Sequence, residues 1–108
     1  ADAQRALEEA AQFMRRRYTS ADTHVGAQLP GSMQQSPAQG NAAYQITLVE
    51  AGQVVRIATV AHAFELRAVR TGAMAGDRCG DLNLTHTGAR SLTGAARGAT
   101  LADCFRGN

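Results

Sequence analysis

Tryptophan and lysine are absent from this chain, proline occurs twice, and aromatic residues make up only 5% of it. So low an aromatic content leaves few platforms on which nucleic-acid bases could stack. There is no run of about 18 apolar residues, so no part of the sequence is expected to span a membrane, and no signal peptide is visible. Groupings that carry chemistry are missing too. The three histidines, His24, His62 and His86, are scattered, and no pair stands at a ligand spacing such as HxxxH, so no metal site is expected. No GxSxG-type nucleophile elbow occurs. Glu8-Glu9 reads as a solvated helix face, and Asp77 and Asp81 as turn caps beside a cysteine. No catalytic residue, cofactor or small-molecule substrate is expected, and the chain does not read as an enzyme.

Cysteine is nearly absent. Cys79 and Cys104 stand too far apart for a zinc motif, which uses close pairs such as CxxC. As a disulfide they would close the loop between them and contribute about 3 to 4 kcal/mol by loop-entropy arithmetic. Two buried free thiols are the alternative. The disulfide is the preferred reading, and it implies an exported protein folded in an oxidising compartment. A chain of 108 residues fits one domain with a modest core, and its 44% hydrophobic content is rich in alanine, so that core should be thin. A staple of this size would then be a large share of the total stability.

The clearest feature present is the opening stretch ADAQRALEEAAQFMRRRYTS. Ala3, Leu7, Ala10, Met14 and Tyr18 form one apolar stripe at helical spacing, with Ala6, Ala11 and Phe13 widening it. An amphipathic helix is expected over residues 1–20. Its alanines would let a sheet approach closely, and Arg15, Arg16 and Arg17 would complement the dipole at its end. Residues 24–43 hold five Gly or Pro positions and read as a long surface connection. Tyr44–Glu50 alternates as a half-buried strand, Ala51-Gly52-Gln53 as a turn, and Val54–Val60 as the second limb of a hairpin. Ala63–Val69 is a further strand, either continuous with the second limb or broken near Ala61-His62. Thr71–Asp77 is loop, and Gly80–Thr87 is the last clear strand. The tail from Arg90 holds too few apolar residues to fasten itself, and a bond from Cys104 to Cys79 would supply what its composition lacks.

The run Asp77-Arg78-Cys79-Gly80-Asp81-Leu82-Asn83-Leu84, followed by Gly88, Gly94 and Cys104-Phe105, resembles the C-terminal region of PilE-like type IV pilins. The helix ending in Tyr18, the Gly/Pro-bearing loop, the Tyr-x-Ile strand and the Phe-x-Leu-x-Ala strand follow in that family's order. The resemblance implies an α+β head: an N-terminal amphipathic helix across an antiparallel sheet of about four strands built from residues 44–87. Cys79 and Cys104 would bound the C-terminal variable region. Phe105 stands where the family often has Trp. The family's processing site and apolar N-terminal half-helix have no counterpart in these residues. The partners implied are other pilin subunits, the pilus assembly machinery and, through such a half-helix, the inner membrane. The head would face the periplasm before assembly and lie outside the cell afterwards.

All 11 basic residues are arginine, and the net charge is +2. With so much alanine and glycine, this reads first as a GC-rich coding bias and second as a bias toward phosphate contacts. Some pilins of this kind bind DNA during transformation. Arg15, Arg16, Arg17, Arg78, Arg90 and Arg97 are the candidate DNA-binding residues, with Arg67, Arg70 and Arg106 also in the C-terminal half. The expected function is that of a structural subunit, a minor pilin, serving pilus biogenesis, adhesion or motility. The alternatives are a DNA-binding pilin, a secretion-system pseudopilin and a small secreted binding domain.

Overall fold

The computed structural model describes residues 2–37, 39–72 and 76–105. Helix α1 (Asp2–Ala21) opens the chain, and its apolar stripe is buried as spaced, with Ala3, Leu7, Ala10, Ala11 and Met14 all within the core. No Gly, Pro or β-branched residue interrupts it before Thr19. Asp22 ends it by adopting a left-handed φ of 60° and donating its N–H to the carbonyl of Tyr18 at 2.8 Å. The helix therefore runs a turn beyond Arg15–Arg17. Its last turn holds no basic residue, so the expected dipole match of those arginines is weakened.

A six-stranded antiparallel sheet follows, not the four strands expected. Its members are β1 (Gln35–Ser36), β2 (Tyr44–Glu50), β3 (Gln53–Val55), β4 (Glu65–Arg70), β5 (Asp81–Thr85) and β6 (Arg90–Thr93). The order is β1-β2-β4-β5-β6, with β3 paired to β2 as well. Since β4 occupies one edge of β2, β1 and β3 take successive stretches of the other. The two unexpected strands lie outside 44–87 and are short edge pieces. β1 has two residues and β6 has Leu92 as its one large apolar side chain, so neither displays an alternation to read.

Register sorts the faces. Ile46 pairs with Ala68, Leu48 with Leu66, and these strand β4 residues pair onward with Leu82 and Leu84. All six are buried beneath α1, which crosses chiefly over β4 and β5. The small side chains of Ala3, Ala10, Ala11 and Ala68 let helix and sheet come close. The opposite face mixes Gln45, Thr47, Arg67 and Asn83 with Val49 and Val69. There the Nε of Arg67 donates to the Oδ1 of buried Asn83 at 2.8 Å, and Asn83 Nδ2 donates to Thr93 Oγ1 at 2.8 Å. Asn83 thereby ties three strands together.

The hairpin limb expected over Val54–Val60 is cut to three residues. Ala51 and Gly52 both take positive φ, 52° and 79°, which is a two-residue type I′ turn with Gln53 already in β3. After Val55 the chain leaves the β2 edge for other partners. The Glu50 carboxylate accepts from Thr59 N–H at 2.8 Å, from Thr59 Oγ1 at 2.6 Å and from Val60 N–H at 3.2 Å. Ala58 exchanges backbone bonds with residues 26 and 27. Val54, Ile57 and Val60 are exposed, so their β-branched run marks no buried strand.

Within the long connection 24–43 lie a 3-10 turn, Gly31–Met33, and β1, while Ala27 and Leu29 anchor it to the core. Val25, by contrast, is exposed. The last expected strand ends at Thr85 rather than Thr87. A short helix, α2 (Leu101–Cys104), follows β6, its first turn capped by Thr100 Oγ1 accepting from Asp103 N–H at 3.1 Å. Residues 73–75 of the expected loop, and Arg106, lie outside the described residues.

Candidate interaction surfaces

Cys79 and Cys104 are bonded, with Cα atoms 5.7 Å apart. The bond joins the residue before Gly80, at the entry to β5, to the end of α2 and encloses β5, β6 and α2. Gly80 explains the Cys-Gly step. Its φ is +68°, and a Cβ there would press on the Thr93 carbonyl and lie 2.8 Å from the Ala95 nitrogen. The returning chain thus lies directly on the Gly80 backbone. Ala96 N–H donates to the Arg78 carbonyl at 2.8 Å, holding the return beside the disulfide.

The candidate arginines fall into two linked groups. Arg15 and Arg90 line one shallow groove of about 210 Å³ between α1 and the β5–β6 turn, together with Gln12 and Glu8. Arg90 Nη2 bonds Glu8 across that groove at 3.4 Å, and its guanidinium stands 5.3 Å from the ring centroid of Phe105. Phe105 follows Cys104, whose disulfide partner follows Arg78. Arg78 pairs with Asp103 at 3.8 Å and reaches the Gly98 carbonyl at 3.5 Å, beside exposed Arg97. Arginines and their carboxylate partners therefore alternate from the flank of α1 over β6 to the disulfide-bounded return, with Arg15 and Arg97 outside those pairs. Arg16 and Arg17 are exposed on α1. Among the described residues, the ion pairs are Arg70–Asp81, Arg78–Asp103 and Arg90–Glu8, and none engages Arg15, Arg16, Arg17 or Arg97.

Arg67 and Arg70 serve the sheet instead. Arg70 is half-buried, 3.9 Å from Asp81, and donates to the Asp77 carbonyl at 2.7 Å. Asp77 caps as expected, its Oδ2 accepting from Cys79 N–H at 3.0 Å, while Asp81 Oδ1 accepts from Arg70 N–H at 3.0 Å. Burial, followed by the nearby charges of Asp77 and Asp81, holds the Tyr44 phenol above its ordinary pKa.

The histidines are not scattered in space. Tyr18 stacks on His24 with centroids 4.6 Å apart, and its hydroxyl lies 2.8 Å from His62 Nδ1. Phe64 meets His24 edge-on at 5.2 Å and His86 at 6.1 Å. The sequence reading missed this cluster because each histidine comes from a different connection. The available signal was that the α1 end, the start of β4 and the end of β5 share one pole. Among the described residues, no three His, Cys, Asp or Glu side chains are grouped to hold a metal ion.

Comparison with known proteins bears on these surfaces. The solved structure of a type IV pilin from Shewanella oneidensis is 27% identical, with a TM-score of 0.54 over 91% of this chain and 92% of that one. The non-core minor pilin PilV of Neisseria meningitidis, 21% identical, has the same fold, with a TM-score of 0.51 over 84% of this chain and 81% of that one. A search of curated proteins finds no match. A family model described as "Type IV minor pilin ComP, DNA uptake sequence receptor" matches residues 1–83. The expected α+β pilin fold and minor-pilin resemblance hold, and the chain belongs to this type IV minor pilin family.

Proposed function

We propose that this chain works as the head of a minor pilin subunit, without catalysis. It is exported, held at the inner membrane before assembly, and then packed among other pilins through α1. The observation that carries the reading is the family match over the helix and most of the sheet, joined to a helix laid across that sheet by its alanine-rich face. When the full-length protein is made in piliated cells, it should appear in the filaments sheared from the cell surface. Its retention in the cell fraction while the major subunit is sheared off would contradict the reading.

A second reading, that the head contacts double-stranded DNA, is favoured by a specific observation. Arg15, Arg16, Arg17 and Arg97 are exposed and engaged in no ion pair among the described residues, while Arg90 and Arg78 are paired with Glu8 and Asp103. The family description names a DNA uptake sequence receptor, which agrees with such a surface. Guanidinium groups of this kind bind backbone phosphates and release counterions. With few aromatics for stacking, paired duplex is the expected substrate rather than splayed single strands. The head should retard a short duplex in a gel at low salt, and the absence of any retardation overturns the reading.

A further inference from the structure

We propose that His24, Tyr18 and His62 form an acid-opened clasp that holds the connection 22–27 against residues 58–61 at the end of α1. The proposal stands apart from both functional readings above.

The two connections run as a short antiparallel ribbon. His24 N–H donates to the Ala61 carbonyl at 2.7 Å, Gly26 N–H to the Ala58 carbonyl at 2.8 Å, and Ala58 N–H to the Ala27 carbonyl at 2.9 Å. The ribbon is pinned at one end by the aromatic cluster. His24 is only 4% exposed, inserted between Tyr18 and Phe64. At the other end, Glu50 fastens Thr59 and Val60 to β2. One limb of the ribbon is thus tied to the sheet by a carboxylate, and the other rests on a buried imidazole.

A neutral imidazole suits this pocket and an imidazolium does not. The charged ring needs an acceptor at each nitrogen, and the buried Nδ1 of His24 has none among the described residues. Among the described residues, no carboxylate is paired with the ring. Tyr18 comes from α1 as a phenol, and the adjacent Arg17 is exposed. Phe64 directly precedes β4, while Glu65 alternates to the other face of the sheet and pairs in register with Thr85. The β3–β4 connection brings His62 and the β5–β6 turn brings His86, both of which oppose a charge on His24. Asp22, on the same connection, is exposed and forms no ion pair among the described residues. Burial first, then His86 and His62, hold His24 below the ordinary value of 6.5.

The sign follows from proton counting. Between 6.5 and the depressed value, an opened His24 binds a proton and a closed one does not. The closed form is therefore fully favoured above 6.5 and loses ground as the pH falls through that window. Opening would lift residues 22–27 and uncover the backbone of Ala58 and Ala61, at the pole where Val25 and Val60 are already 49% and 43% exposed.

Amide hydrogen exchange read by NMR at about pH 7.5 and about pH 5, corrected for intrinsic exchange chemistry, tests the clasp. Protection of the His24, Gly26 and Ala58 amides should be lost progressively toward about pH 5, because the open form of His24 binds its proton more tightly than the closed form. The Ile46, Leu66 and Leu84 amides should keep theirs, and in the H24F variant the drop should vanish. Equal protection at both pH values overturns the clasp. So does a parallel loss in the core strands, or an unchanged drop in H24F. Should H24F fail to fold, the wild-type His24 ring titration decides. Titration below 6.5 in step with deprotection of Ala58 supports the clasp, and titration at the ordinary value with the ribbon undisturbed overturns it.

Discussion

Gly80 and Glu50 show how much of this head depends on single residues beside chain crossings. At Gly80 the left-handed backbone and the Thr93–Ala95 return exclude any side chain. Gly80→Ala should destabilise the head by about 3 kcal/mol, combining backbone strain with overpacking against backbone atoms that cannot yield. Chemical denaturation of the two proteins under one buffer would measure it. Glu50 acts through charge. The Thr59 hydroxyl, then its N–H, lowers the Glu50 pKa from 4.5, outweighing burial, with Val60 N–H adding to the effect. The folded state therefore binds fewer protons than the unfolded one. The contribution is present above 4.5 and is lost as the pH falls through the depressed value. The Thr59 and Val60 amide signals should follow that titration in the wild type and lose it in Glu50→Gln.

At the scale of elements, what the sequence displayed was whatever buries one face with a regular period. The stripe from Ala3 to Tyr18 located α1 to within a residue or two, and the alternations Tyr44-Ile46-Leu48 and Phe64-Leu66-Ala68 located β2 and β4. Elements held by backbone and side-chain hydrogen bonds left no such mark. β6 is kept in place by pairing with β5 and by Asn83 reaching Thr93, and β1 is two residues on an edge. The apolar run Val54–Val60 misled because Glu50 and the 24–27 ribbon redirect the chain while its large side chains stay exposed. Of the candidate surfaces, the disulfide and the exposed arginines were legible. The neutralisation of Arg78 and Arg90 and the gathering of the histidines depend on contacts between distant segments. The return of the chain through β6 and α2 shows the same dependence. Its apolar anchors are few, with Cys104 and Phe105 the buried ones, so the disulfide carries much of its order. Reduction, or Cys79→Ser with Cys104→Ser, should lower stability by about 3 kcal/mol. Hydrogen exchange should show β6 and α2 losing protection before α1 and β2.

On the scale of the whole molecule, the head is a helix-on-sheet platform whose exposed arginines and acid-sensitive pole are set around its rim. Nine carboxylates nearly balance 11 arginines, so any attraction to a polyanion must come from where the charges lie rather than from their sum. The measurement that tests this most directly is binding of a labelled duplex by fluorescence anisotropy across a salt series, for the wild type and for a variant with Arg15, Arg16 and Arg17 all changed to Ala. Binding should weaken steadily as salt rises. The variant should bind less tightly, with the slope of log affinity against log salt reduced in size by about 2 to 3, as expected for the loss of up to three phosphate contacts. Equal affinity and slope in the two proteins, or no binding by the wild type at low salt, would contradict the assignment of these arginines to DNA.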